Sequence, residues 1–243
     1  MKPPPFSLTA ASAVDLIAQL RMIDIAVPLI TEGRTKEHRE RHLMARFLAT
    51  MARSNSLSFP LEVTHCEKPD FLLRFGATRV GAECVEVVPQ ELYEIELLRE
   101  KLYPEQMNFG QLFNPGKRKF TREQKHDIAR GERFGPPWMP AMAKRNWIAA
   151  MLHFIAGKTK KLRNGNYSST AENWLLVQDE WPTSLRFYPE QIREAAVECS
   201  AQLAAMLEPP SFQAIYVASG EQLLSFNRGS TRIEPIYDLW RLN

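Results

Sequence analysis

The stretch EKPDFLLRFGATRVGAECVEVV, residues 67–88, decides how this chain folds and where its chemistry lies. Its apolar residues form two runs on either side of Gly76, and this pattern predicts an antiparallel β-hairpin. Asp70 begins the first strand and Glu83 lies midway along the second. Because antiparallel neighbours meet side by side, the hairpin is expected to bring these two acids to nearly opposite positions.

Two carboxylates in facing apolar strands repel each other and are costly to bury. A divalent cation removes both costs, since Mg²⁺ and Mn²⁺ prefer carboxylate oxygens as ligands. A metal ion held there can polarise a phosphoryl oxygen and activate water for attack on a phosphodiester. The alternative is that Asp70 is a turn residue and that Glu83 forms an ion pair with Arg74 or Arg79.

The segments around the hairpin predict an α/β domain, because helical and strand-like periodicities alternate along the chain. Helices are predicted at 10–21, 35–53, 90–103, 141–162 and 188–207, and strands at 59–66, 69–75, 79–88, 173–181, 212–219 and 222–226. Residues 1–34 are expected to form an N-terminal extension with one helix. Residues 1–9 are expected to be loosely attached, because three prolines follow one another there. Residues 35–243 are predicted to form a single domain.

One combination of residues resembles a known family. Pro69 and Asp70 are followed thirteen residues later by Glu83 on a strand, after a helix that carries Glu40. Together with the phrases KPDFLL and VGAECVEV, this resembles the PD-(D/E)xK nuclease superfamily over roughly residues 35–185. The resemblance implies a restriction-endonuclease-like core, in which a central mixed sheet is flanked by helices in the order α-β-β-β-α-β. It also implies Mg²⁺-dependent (or Mn²⁺-dependent) DNA hydrolysis, in a setting such as phage defence, restriction or a mobile element.

The resemblance also implies roles for single residues. Asp70 would be the metal-bridging carboxylate and Glu83 the second metal ligand. The backbone carbonyl of Val85 would complete the metal site, together with an acid from the preceding helix. Glu40 is the candidate for that acid because it shares a helix face with inward apolar residues, and Glu37 is the alternative.

The chain departs from the family at one position, because Val85 stands where the family carries a catalytic lysine. Lys158 is the candidate replacement, since it continues an apolar stripe through Ile155 on a predicted helix. Lys161 and Lys68 are alternatives, and Lys158 could equally be an ordinary helix-end lysine that favours the helix dipole. The missing lysine also favours a second function, a catalytically inactive nuclease-like subunit that binds nucleic acid or partner proteins.

Positive charge is concentrated in residues 101–163, which hold 14 Lys or Arg against 4 Asp or Glu, while the rest of the chain is acidic. Such asymmetry is typical of proteins that contact polyanions, although a solvated surface explains it equally well. Residues 104–143, rich in proline and glycine, are predicted to form a long irregular insertion. The residues predicted to contact nucleic acid are Lys117, Arg118, Lys119, Arg122, Lys125, Lys160 and Lys161. Phe113, Phe120, Phe134 and Trp138 are expected either to stack on bases or to anchor the insertion. DNA is the expected partner, with RNA left open.

The remaining features concern the cellular compartment, the cysteines and the association of the chain with other proteins. There is no run of 18 apolar residues and no secretory signal at the start, so a cytoplasmic protein without a membrane span is expected. The three cysteines lack metal-type spacing and are interpreted as reduced structural thiols. The helix at 188–207 is a candidate surface for a homodimer or a larger protein complex.

Overall fold

The computed structural model describes residues 3–105, 112–116, 120–133, 135, 139–165, 170–183, 188–209 and 211–241. The strands are β1 (Ser7–Ala10), β2 (Leu61–His65), β3 (Phe71–Phe75), β4 (Thr78–Val87), β5 (Glu172–Asp179), β6 (Ala214–Ser219), β7 (Gln222–Asn227) and β8 (Ser230–Pro235). The α-helices are α1 (Ala13–Arg21), α2 (Lys36–Arg53), α3 (Gln90–Leu102), α4 (Arg122–Ala129), α5 (Pro140–Arg163) and α6 (Pro189–Met206). A short 3₁₀ helix spans Ile30–Glu32.

One mixed sheet of eight strands runs through the molecule in sequence order, from β1 to β8. The pairs from β1 to β4 and from β6 to β8 are antiparallel, whereas β4–β5 and β5–β6 are parallel. Parallel neighbours need a crossover connection. The segment that contains α3, α4 and α5 connects β4 to β5, and α6 connects β5 to β6. The predicted α/β class with a central mixed sheet flanked by helices is confirmed, and the sheet is larger than the predicted core.

The sheet separates two apolar cores. The helices α1 and α2 cover one face, where Leu48 and Phe71 are fully buried. The helices α3 to α6 cover the other face around Trp147. Side chains of β4 alternate between the faces, with Cys84 on the α2 side and Val87 on the α5 side. The candidate acids therefore lie in a layer that helices approach from both sides.

The expectation of a loosely attached N-terminus is wrong from Pro4 onward, because contacts of Pro4 and Phe6 and the pairing of β1 with the edge strand β2 hold the segment on the sheet. Phe6, which precedes β1, is 2% exposed and packs edge-on against Phe71 with 5.7 Å between ring centroids. Arg41 Nη1 donates a hydrogen bond to the Pro4 carbonyl at 2.8 Å. The prolines do not prevent attachment, since the backbone and aromatic contacts that follow them hold the segment on the sheet.

The insertion at 104–143 is not irregular throughout, because it contains the helix α4. Thr121 caps this helix by accepting a hydrogen bond from the Gln124 amide at 3.2 Å. Ile128 and Ala129 are fully buried at its end, so α4 is held on the body of the protein by apolar contacts.

The aromatic residues of the insertion act as anchors where the structure describes them. Phe113 is 5% exposed and meets Phe120 edge-on, with 5.5 Å between ring centroids. The anchoring alternative is therefore the correct one for these two residues. Phe134 and Trp138 lie outside the described residues.

The C-terminal part extends the sheet further than the sequence predicted. The strand β8 was not predicted, because its residues are mostly exposed and carry little apolar alternation. After β8 the chain returns to α2, where the Tyr237 amide donates to Thr50 Oγ1 at 3.0 Å. No helix in the described part of the chain combines the length and the apolar character that crossing a membrane requires.

Candidate functional site

The hairpin register places the two candidate acids opposite each other. Phe71 pairs with Ala82 in the β3–β4 ladder, so the next pair outward is Asp70 with Glu83. A two-residue turn that begins at Gly76, with φ of +60°, sets this register. Asp70 is 3% exposed and Glu83 is 5% exposed, so the mirrored pair predicted from the sequence is confirmed and is buried.

Asp70 accepts two hydrogen bonds from opposite directions. The Cys84 amide donates to Asp70 Oδ2 at 2.7 Å, and Lys36 Nζ donates to Asp70 Oδ1 at 2.7 Å. Burial alone would raise the pKa of Asp70, but the hydrogen bonds from Lys36 and Cys84 outweigh it and the pKa is lowered. Asp70 is therefore held as a carboxylate.

Glu83 meets the lysine that the sequence singled out. Lys158 Nζ donates to Glu83 Oε2 at 2.9 Å, from a side chain that is 17% exposed. Burial raises the pKa of Glu83, and the negative charge of Asp70 raises it further. The placement of Lys158 beside the second acid is as predicted, and it follows from the apolar stripe that holds α5 on the sheet. The alternative pairing with Arg74 is wrong, because Arg74 Nη1 bonds Glu62 at 3.1 Å.

The helix α2 supplies the third acid and a lysine that the sequence analysis missed. Glu40 is 5% exposed, and its Oε1 lies 2.6 Å from Lys36 Nζ. Its other oxygen, Oε2, lies 3.1 Å from His65 Nε2. Lys36 was overlooked because it begins the helix, where a lysine is ordinarily solvated. Its spacing of four residues before the inward-facing Glu40 is the signal that would have identified it.

The two lysines approach the acids from opposite faces of the sheet. Lys36 comes from α2 and Lys158 from α5, so two ammonium groups lie against three buried carboxylates. A cleft of about 700 Å³ opens beside Lys36 and Glu40. It is lined by Pro3, Pro4, Pro5, Phe6, Lys36, Glu37, Glu40, Arg41, His65, Cys66 and Glu67. Lys36 and Glu40 therefore face a solvent-filled cleft on the α2 side, whereas Asp70 and Glu83 do not line it.

The chemistry of the donors fits a hard divalent cation, although their present arrangement is balanced by lysine. Asp70, Glu83 and Glu40 offer carboxylate oxygens, the ligands that Mg²⁺ and Mn²⁺ prefer. Glu40 Oε1 is buried and lacks a hydrogen bond of good geometry within the described structure. Across the same residues, no three His, Cys, Asp or Glu side chains converge closely enough to hold a metal ion. Lys36 Nζ lies against both Asp70 and Glu40.

The two residues that follow Cys84 have different surroundings. The Val85 side chain packs against the apolar core on the α5 side, so only its backbone could serve a metal ion. Glu86 points to the α2 side and forms an ion pair with Arg39. Burial raises the pKa of Glu86 to about 7 in spite of this arginine. Glu86 is therefore a separate carboxylate from the Asp70–Glu83 pair, as strand alternation predicts.

The residues predicted to contact nucleic acid fall into three groups. Lys117, Arg118 and Lys119 lie outside the described residues. Arg122 is exposed at the start of α4, whereas Lys125 is 15% exposed and lies 2.5 Å from Glu94 Oε2. Lys160 and Lys161 are exposed in the last turns of α5, directly after Lys158. Among the predicted basic residues that the structure describes, Arg122, Lys160 and Lys161 are thus exposed, and Lys125 is paired.

Comparison of the chain with protein-family models, curated proteins and solved structures finds no match. The function of the site is therefore inferred from its residues and their geometry.

Proposed function

We propose that this protein is a metal-dependent nuclease that hydrolyses phosphodiester bonds of DNA. One observation carries the proposal: the buried pair Asp70 and Glu83 has the Lys158 ammonium group 2.9 Å from Glu83. Two buried acids with an adjacent lysine are the set that the resemblance calls for. Lys158 would thereby supply the positive charge that the family's lysine carries at the position of Val85.

The order of elements supports a restriction-endonuclease-like core. The chain runs from α2 through β2, β3 and β4, and then through α5 to β5. This is the α-β-β-β-α-β order, with α3 and α4 inserted before α5 and with extra strands at both edges of the sheet.

The residues of the site would have different roles in the reaction. Asp70 and Glu83 would hold Mg²⁺ or Mn²⁺, with Glu40 and the Val85 carbonyl as further ligands. When bound, this ion supplies Lewis-acid activation of the phosphoryl group and of water. Lys158 keeps a positive charge beside Glu83, where it can stabilise the negative charge that develops on the reacting phosphate.

The basic face would bring the substrate to the site. Lys160 and Lys161 continue from Lys158 along α5, so phosphates held there would run toward the buried acids. Contacts of this kind give affinity with little reading of sequence, and they weaken as salt rises. RNA shares the phosphate chemistry and is the alternative substrate.

The lysine counter-charges also favour a second function, an inactive nuclease-like subunit that binds nucleic acid or partner proteins. Asp70 and Glu83 each have an ammonium partner from the chain itself, so lysine balances part of their negative charge. Such a subunit would bind nucleic acid in a salt-sensitive way and would not need Asp70 for binding.

Cleavage of supercoiled plasmid DNA with Mg²⁺ or Mn²⁺ tests the proposal. Asp70→Asn and Glu83→Gln are each expected to lower the cleavage rate at least about 100-fold, because each removes a charge from the centre of the site. Glu62→Gln is the matched control, since Glu62 forms an exposed ion pair on the neighbouring strand β2. Wild-type cleavage rates in both site variants would rule out this assignment. DNA binding without cleavage by the wild type, with either cation, would establish the inactive subunit instead.

A further inference from the structure

Lys36 contacts two buried carboxylates although most of its own side chain is exposed. Its Nζ lies 2.6 Å from Glu40 Oε1 and 2.7 Å from Asp70 Oδ1, and both carboxylates are at least nine-tenths buried. The Lys36 side chain as a whole is nevertheless 62% exposed. Lys158, by contrast, is 17% exposed and lies along the packed face of α5. Of the two lysines, Lys36 is therefore the one that can leave without disturbing the core.

We propose that Lys36 is a displaceable counter-ion, which takes the place of a divalent cation between Asp70 and Glu40 and swings out when that cation binds. This inference rests on the proposed metal-dependent function. It adds that metal binding to this protein is a competition with one of its own lysines.

The balance of charge supports an exchange rather than an addition. Three carboxylates and two ammonium groups give the cluster a formal charge of −1. A divalent ion added beside both lysines would leave an excess of positive charge in a buried place, which is costly. If Lys36 leaves as the ion enters, the formal charges of the three carboxylates, Lys158 and the divalent ion sum to zero.

The surroundings of Lys36 allow the exchange. Lys36 is the first residue of α2 and lines the cleft of about 700 Å³, so its ammonium group has solvent to move into. Glu40 Oε1, which it touches, keeps a buried lone pair without a well-formed hydrogen bond to any described residue.

Titration of the full-length protein with Mn²⁺, followed by calorimetry and by the electron paramagnetic resonance signal of free Mn²⁺, tests this inference. Lys36→Met is expected to bind Mn²⁺ at least about 10-fold more tightly than the wild type, because an opposite charge within a few ångströms shifts carboxylate equilibria by 1 to 3 pKa units. Lys36→Arg keeps the charge and is expected to stay close to the wild type. Lys144→Met is the matched control, since Lys144 also lies between two carboxylates, Glu194 and Glu198, but on the surface.

The outcomes separate this inference from the proposed function. Tighter binding in Lys36→Met that disappears when Asp70→Asn is added would support the exchange. Equal or weaker binding in a Lys36→Met variant with a wild-type circular dichroism spectrum would overturn it, and metal-dependent cleavage by the wild type would then still stand. If wild type and Lys36→Met both fail to bind Mn²⁺ and the wild type does not cleave DNA, both conclusions fall.

Discussion

All three buried carboxylates of the candidate site have a lysine ammonium group within 2.9 Å. Lys158 Nζ donates to Glu83 Oε2 at 2.9 Å, and Lys36 Nζ donates to Asp70 Oδ1 at 2.7 Å. The two lysines differ in how firmly they are held, since Lys158 is mostly covered and Lys36 is mostly exposed. Under the proposed function, we therefore infer that Lys158 takes part in the reaction and that Lys36 exchanges with the metal ion.

Replacing Lys158 by methionine tests the role of the fixed lysine. Lys158→Met is expected to lower the cleavage rate at saturating DNA about 100- to 1,000-fold, because a preorganised positive charge beside the reacting phosphate is lost. Binding of Mn²⁺ is expected to persist, since the three carboxylates remain. Single-turnover cleavage and Mn²⁺ titration separate the two effects.

Lys101→Met, which changes an exposed lysine on α3, is the control for Lys158→Met. Loss of Mn²⁺ binding together with cleavage in Lys158→Met would mean that Lys158 only maintains the structure of the site. Unchanged cleavage would show that the lysine has no part in the reaction.

At the scale of elements, one buried acid joins α5 to the parallel strands. Asp179, at the end of β5, is 2% exposed, and the groups of the described residues that donate to it are all uncharged. Trp147 Nε1 from α5 donates to Asp179 Oδ2 at 2.7 Å, and Ser219 Oγ at the end of β6 donates to the same oxygen at 2.5 Å. Burial raises the pKa of Asp179 in spite of these donors. The network fixes α5, and with it Lys158, over the sheet.

Trp147→Phe is expected to lower the free energy of unfolding by about 1 to 3 kcal/mol, because a buried carboxylate loses a donor. The pKa of Asp179 in the folded protein already lies above its ordinary value of 3.8, and loss of the Trp147 hydrogen bond raises it further. A raised folded-state pKa makes stability fall as the pH rises, so the deficit of the variant should widen as the pH rises through the folded-state pKa. Urea unfolding at a series of pH values measures this.

Trp174→Phe is the matched control, since Trp174 Nε1 donates to the partly exposed Glu172 at 3.1 Å. A smaller, pH-independent loss is expected there. Equal losses in the two variants at every pH would show that only the size of the indole ring matters.

At the scale of the whole molecule, charge is distributed so that the acids are buried in the sheet while the basic residues of α5 are exposed. Lys160 and Lys161 lie in the last turns of the same helix that carries Lys158. A polyanion that binds along this end of α5 would thus approach the acids from the side of the α5 layer. The cleft beside Lys36 opens on the opposite, α2 side.

The salt dependence of DNA binding tests this arrangement. Lys160→Gln combined with Lys161→Gln is expected to make the slope of log Kobs against log salt less steep by about 2, because each phosphate contact contributes about 0.9. Fluorescence anisotropy with a labelled duplex between low and moderate salt measures the slope. Lys144→Gln, which removes a lysine already paired with Glu198 at 3.0 Å, should leave the slope unchanged. An unchanged slope in the double variant would exclude this face from DNA binding.

The sequence by itself determined the hairpin and most of the other elements, although not α4, because these depend on local periodicity. The alternation in residues 67–88 was enough to set Asp70 opposite Glu83. The stripe on α5 made Lys158 a candidate partner of the acids, with Lys161 and Lys68 left open. The edge strands β1 and β8 were missed, since they are short and depend on a neighbouring strand for their hydrogen bonds. The residue pattern within one segment does not identify the strand with which that segment pairs.

Only the tertiary structure decided what neutralises the two acids. Lys36 lies 34 residues before Asp70, and Lys158 lies 75 residues after Glu83. The crossover through α5 and the packing of α2 on the other face bring these groups together, and both depend on contacts distant in sequence. The free energy of burying a charge depends on which groups surround it, so the counter-charge is fixed only once both helical layers are in place.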